Sequence, residues 1–145
     1  MNETQVKQYL ALIKTFSEGK KEILATGLCG SWARGTAHPD SDLDISFIVT
    51  DPAHFRNQDW LEDLEFSKIN EEIDQFEDKT YGVVWSRHVF LRSGSEIELS
   101  FAGLSWADTK NLDKGTRKVV TDGFKILYDP NGILKKLLIK VNESN

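Results

Sequence analysis

The chain has 145 residues, 39% of them apolar and 28% charged, with a formal net charge of −5. These values suit one globular domain over residues 1–145 and exclude a disordered or fibrous chain. The acidic balance, without a Lys/Arg cluster, excludes long nucleic acid held through many phosphate contacts, and no run approaches the roughly 18 apolar residues of a membrane span. Met1 to Lys20 lacks the basic-then-apolar order of a signal peptide, so a cytoplasmic location without a membrane partner is expected. The single cysteine, Cys29, ends an apolar run and reads as a small buried hydrophobe.

Val6, Tyr9, Leu10, Leu12, Ile13 and Phe16 recur mostly at three- and four-residue steps, which predicts an amphipathic helix ending at Gly19. Glu22 to Cys29 is largely apolar and closed by Gly30, as expected of a buried strand. Ser31-Trp32-Ala33-Arg34-Gly35 predicts about one helical turn, followed by a polar loop from Thr36 to Ser41. Leu43, Ile45, Phe47 and Val49 then alternate with Asp44, Ser46 and Ile48 in a second strand, with Asp42 at its mouth. Between Asn57 and Phe76 the spacing predicts a helix, broken near Ser67, with Trp60, Leu61, Leu64, Ile69 and Ile73 inward. Tyr81 to Leu91 and Glu96 to Phe101 predict a hairpin about Ser93-Gly94-Ser95. Short helices are expected over Trp106 to Asn111 and Gly115 to Asp122, then a strand from Lys125 to Tyr128 and a final helix after Gly132.

The chemistry concentrates in Gly30-Ser31-Trp32-Ala33-Arg34-Gly35 and Ser41-Asp42-Leu43-Asp44-Ile45. Gly30 lets backbone approach a ligand, Ser31 offers a hydroxyl, and the short helix behind them points free N–H groups toward an anion. Residues two apart on a strand share a face, so Asp42 and Asp44 present two carboxylates together while Leu43 enters the core. Carboxylates joined by phosphate oxygens and water form the usual setting for Mg²⁺ beside a nucleotide.

These residues resemble the signature of the nucleotidyltransferase superfamily, the polymerase beta-like fold: Gly-Ser, a short helix, then Asp-x-Asp. The resemblance extends to minimal nucleotidyltransferases and, through Gly123 to Gly132, to aminoglycoside adenylyltransferases. It implies an α/β (α+β) single-domain fold, a mixed sheet backed by helices, with a third carboxylate on a later strand. Glu98, between Ile97 and Leu99, matches that position better than Glu96, which shares its face two residues earlier and is expected to lie farther from the aspartates.

The resemblance further implies Mg²⁺-dependent transfer of a nucleoside monophosphate, AMP from ATP or the equivalent from another nucleoside triphosphate, to a hydroxyl. Asp42, Asp44 and Glu98 would be both catalytic and metal-holding, with two Mg²⁺ ions in the active complex. Gly30, Ser31, Arg34 and Ser41 would bind the nucleotide. For Arg34 a structural ion pair is the competing reading, and for Ser41 a loop-capping hydrogen bond. The acceptor is a small, aminoglycoside-like molecule or a partner protein of toxin–antitoxin type, and a homodimer or partner subunit remains open. A non-catalytic nucleotide-binding module and the Asp-x-Asp of a glycosyltransferase are the rival classes; the latter leaves the Gly30-Ser31 turn without a role. His38, His54 and His88 show no metal-ligand spacing and read as surface or half-buried residues.

Overall fold

The computed structural model describes residues 1–143. Helix α1 spans Glu3–Glu18. Its first turn is closed reciprocally: Gln5 N donates to Asn2 Oδ1 at 2.9 Å and Asn2 N donates to Gln5 Oε1 at 2.8 Å, so two of the unpaired N–H groups of the helix start are satisfied. Strand β1 (Ile23–Cys29) runs directly into the five-residue helix α2 (Gly30–Arg34), and β2 (Leu43–Val49) follows the polar loop. The hairpin strands β3 (Ile73–Tyr81) and β4 (Val84–Leu91) lead to β5 (Glu96–Ala102). Helix α3 (Lys114–Thr121), strand β6 (Phe124–Tyr128) and helix α4 (Ile133–Glu143) complete the described chain.

One six-stranded sheet has the order β3-β4-β5-β2-β1-β6. Only β2 and β5 pair in parallel; the other neighbours are antiparallel. The mixed sheet backed by helices expected from the sequence is therefore present. On one face α1 buries Val6, Tyr9, Ile13 and Phe16 among Leu43, Ile45, Phe47 and Val49 of β2 and Phe101 of β5. Phe101 is the hub of this layer, with rings of Phe47, Phe55, Trp60 and Trp85 at centroid distances of 4.8–5.3 Å, a range in which aromatic pairs add attraction beyond their buried area. On the opposite face α3 and α4 place Val120, Leu134, Leu137 and Val141 over Ala25, Ile48 and Ala102. That cover is partial, which matters for the site.

The helix expected between Asn57 and Phe76 does not form. Two 3₁₀ turns, Asp59–Leu64 and Phe66–Ile69, take its place, and Ile73 onward belongs to β3. Left-handed Glu65 (φ 56°) and Asn70 (φ 58°) interrupt the path, a conformation incompatible with a continuing α-helix. Trp60, Leu61 and Leu64 are nevertheless buried as expected, carried inward by the turns. Strand β3 is an edge strand whose side chains are mostly exposed, so it lacks the apolar alternation by which strands are read. Tyr81 consequently ends β3 rather than opening β4, and the segment from Trp106 forms only a 3₁₀ turn, Leu104–Ala107.

Candidate active site

The alternation of β2 assigns Leu43, Ile45 and Phe47 to the α1 side and turns Asp44, Ser46 and Ile48 to the other. Sheet register then lines up the functional side chains. Asp44 pairs with Glu98 across β2 and β5, and Glu98 pairs with His88 across β5 and β4. On the other flank Asp44 pairs with Cys29 at the end of β1. Directly paired residues share a face, so His88, Glu98, Asp44 and Cys29 form one row across four strands. One step toward the strand mouths lie Glu96, paired with Phe90, and Asp42, just ahead of β2.

The structure brings Asp42, Asp44 and Glu98 together: one carboxylate oxygen from each lies within 4.8 Å of the others. Glu98 groups with both aspartates, whereas Glu96 groups with Asp42 and not with Asp44. Glu96 lies in a second group with Asp42 and His88, also within 4.8 Å, because a parallel β2/β5 register that sets Glu98 beside Asp44 must set Glu96 beside Asp42. Beneath the uncovered part of the sheet face is a cleft of about 690 Å³. Its floor includes Asp44, Ser46, Glu98, Ser86 and Ser100, and its walls come from Gly30, Arg34, the Tyr81–Val84 turn, Trp106 and the α3 end. The floor serines satisfy one another, Ser86 and Ser100 at 2.7 Å, while Ser46 Oγ and Cys29 Sγ lie 3.1 Å apart.

Gly30 has φ 71°, and a Cβ built on it would stand 2.4 Å from Asp44 Oδ2. A side chain is thus excluded twice, by backbone conformation and by contact with the acid. Ser31 starts α2 beside it, and its carbonyl accepts from Gly35 N and Thr36 N, both at 3.0 Å, which closes the short helix. Arg34 lines the cleft, but its Nε donates to Thr36 Oγ1 at 3.1 Å and its Nη1 donates to the Asp122 carbonyl at 3.0 Å. These bonds tie α2 to the turn before β6. Ser41 Oγ accepts from His38 N at 3.0 Å and Ser41 N donates to the His38 carbonyl at 2.9 Å, so Ser41 braces the loop that delivers Asp42.

Burial pushes the Asp44 carboxyl up to about 7 from an ordinary 3.8, aided by the negative charges of Glu98 and Asp42 and a hydrogen bond with Glu98. The folded protein therefore retains a proton on Asp44 that the unfolded chain loses near pH 3.8. This group's contribution to stability is full below that value and is lost as pH rises through about 7. A cation binding at Asp44 must displace the proton. In metal-free protein the affinity for Mg²⁺ is expected to rise about tenfold per pH unit toward neutrality and then level off. Calorimetric Mg²⁺ titrations across that range check it; a flat profile would remove Asp44 from the ion. Burial also raises the Cys29 thiol to about 12, which leaves no thiolate for nucleophilic attack.

Sequence reasoning passed over His88 as a member of this cluster. The signal was present in the hairpin: a turn centred on Ser93 sets His88 opposite Glu98, and counting residues outward from that turn finds the pair. The Tyr81–Val84 wall depends on the unread edge strand β3 and had no such signal.

The family model of polymerase beta nucleotidyltransferases matches residues 11–84, a stretch that carries the Gly30-Ser31 turn and both aspartates. The chain belongs to this nucleotidyltransferase family. By sequence, no curated protein matches it. Among solved structures, an aminoglycoside 6-adenyltransferase from Bacillus subtilis superposes with a TM-score of 0.51 at 18% identity, over 74% of this chain and 37% of that one. The chain thus spans well under half of that enzyme's length, and the likeness is one of fold. A toxin–antitoxin structure with AMP-PNP aligns over 99% of this chain and 86% of its own, with 17% identity and a TM-score of 0.47. No helix among the described residues of this nucleotidyltransferase is long and apolar enough to cross a membrane.

Proposed function

We propose that the protein transfers AMP from ATP to a hydroxyl group of a small, polyhydroxylated and cationic molecule of the aminoglycoside kind. The observation that carries this reading is the convergence of Asp42, Asp44 and Glu98 beside the Gly30 turn. Three carboxylate donors suit a hard cation such as Mg²⁺. Fit is also supported by the raised Asp44 carboxyl, a sign of excess negative charge gathered in a desolvated place. Asp42, Asp44 and Glu98 would hold the ions, two in the active complex, which supply charge neutralisation at the phosphates and a lower pKa for the acceptor hydroxyl.

The chain's own groups do the rest. The Gly30-Ser31 turn gives the triphosphate a close backbone approach, with the N–H groups at the start of α2 and the Ser31 hydroxyl as donors. Arg34 and Ser41 contribute to the nucleotide site by holding that turn and the Asp42 loop in place. Glu98 takes the acceptor hydroxyl's proton as its oxygen attacks the α-phosphorus. The new P–O bond forms as the bond to the bridging α,β-oxygen breaks, and pyrophosphate leaves. Besides the ion-holding Asp44 and Glu98, the charged residues lining the cleft are Arg34, Asp113 and Asp122, a net negative balance that favours a cationic acceptor.

Incubation with ATP labelled at the α-phosphate, Mg²⁺ and a panel of aminoglycosides tests the proposal. Label should move to an acceptor with release of one pyrophosphate per transfer. Transfer to a co-purifying protein instead would replace the small-molecule acceptor with a partner protein.

A further inference from the structure

His88 Nε2 is shut off from solvent, and it is the one such side-chain polar atom among the described residues without a hydrogen-bond partner. It stands 3.1 Å from Glu96 Oε1 and 3.7 Å from Asp42 Oδ2. Both separations are within ion-pair range, and only the shorter is within hydrogen-bond distance. The nitrogen thus stands beside two carboxylates with a hydrogen bond to neither. The imidazole is held there by Phe90, whose ring stacks on it at 4.7 Å and 5°, two residues along the same face of β4.

We propose that Asp42, His88 and Glu96 form a second metal site, built for Zn²⁺ or a similar borderline divalent ion, adjoining the three-carboxylate site and sharing Asp42 with it. Geometry carries the assignment. Donors about 2.0–2.2 Å from a tetrahedral ion lie about 3.4 Å from one another, and the two measured separations of Nε2 fall on either side of that value. All three donor atoms lie within 4.8 Å of each other, so small side-chain adjustments bring them onto one ion. Chemistry selects its class. Imidazole nitrogen with two carboxylates suits Zn²⁺, whereas Mg²⁺ takes oxygen donors. Three protein ligands leave a fourth position for water, the pattern of an open zinc site. His88, Glu96 and Asp42 stem from two strands and a loop, so no spacing along the chain announces them. Asp42 belongs to both groups, which couples Zn²⁺ binding to the neighbouring site. The second site itself does not depend on the nucleotide-transfer reading.

The test uses the metal-stripped full chain titrated with Zn²⁺, and with Co²⁺ as a spectroscopic stand-in. Wild type should bind one Zn²⁺, and Co²⁺ should give visible absorption of a site with a nitrogen ligand. His88→Gln and Glu96→Gln should each weaken Zn²⁺ by at least about tenfold, and His88→Gln should abolish the Co²⁺ spectrum. Both variants should keep the wild-type circular dichroism, which separates loss of the site from loss of the fold. Glu98→Gln should retain Zn²⁺ binding. Equal Zn²⁺ affinity in wild type and both variants would overturn the proposal, as would a loss confined to Glu98→Gln, which would put the ion among the three carboxylates.

Discussion

Glu98→Gln is expected to lower the rate of nucleotide transfer by about 10²–10⁴-fold, the usual contribution of a general base, with ATP affinity little changed. The acid stands in register with Asp44 on the parallel neighbour strand and lines the cleft floor. In the proposed reaction it would serve the acceptor hydroxyl more than the triphosphate, which would enter from the Gly30 turn on the β1 side. Glutamine keeps the volume and most of the packing but accepts no proton at neutral pH. A fall in kcat with an unaltered Kd for ATP separates a role in the chemical step from a role in binding. Turnover at the wild-type rate would take Glu98 out of the chemistry.

The variant also reports on Asp44. Negative charge on Glu98 is the largest cause after burial of the raised Asp44 carboxyl. Removing it should let Asp44 ionise at lower pH, which favours cation binding by the remaining pair even as one donor is weakened. The two effects oppose each other, and this is why a large change is expected in rate and a small one in affinity.

The sequence made the site more legible than much of the fold around it, for a physical reason. Gly30 and Asp44 are constrained by local backbone: a left-handed turn that excludes a side chain, and a strand whose strict alternation assigns every residue a face. Such constraints leave marks within a few residues. Glu98 needed one inference more, that β5 lies beside β2, and this came from the family resemblance. The alternation of Glu96 to Phe101 puts both acids on one face, and only the apolar flanks of Glu98 and the family resemblance separate them. Parallel register resolves them, giving Glu98 to Asp44 and Glu96 to Asp42, so each acid has a neighbour and neither stands apart.

What the sequence concealed depended on tertiary context. Strand β3 covers the open edge of the sheet while exposing most of its own side chains, and its acids and apolar residues mimic a helix period over the preceding turns. Arg87 illustrates the same difficulty. It is buried at 1% exposure, paired with Asp78 of β3 at 2.8 Å and bonded to the carbonyls of Arg56 and Asn57. A charge so placed is tolerated because its donors are matched, and it joins β3, β4 and the loop before the 3₁₀ turns. The alternation of β4 sets Arg87 on the buried face with Trp85, Val89 and Leu91, but the partners that make a charge tolerable there come from β3 and a distant loop and leave no mark near it in the sequence.

The most direct measurement is the affinity for ATP by calorimetry, with Mg²⁺ and with EDTA, in wild type and Asp44→Asn. Asp44 joins the turn to the acids: it faces Gly30, pairs with Glu98 and gathers with Asp42. Three acids without a cation repel a triphosphate, so wild type should bind ATP tightly only when Mg²⁺ is present. Losing one charged ligand contact, about 1.5–3 kcal/mol, should weaken Mg²⁺-dependent binding on the order of tenfold to a hundredfold or more. Without the ion, Asp44→Asn should bind ATP no worse than wild type, since it carries less negative charge. Equal ATP affinity with Mg²⁺ and with EDTA in wild type, or Mg²⁺-dependent binding unaltered by Asp44→Asn, would contradict a metal-bridged nucleotide site at these carboxylates.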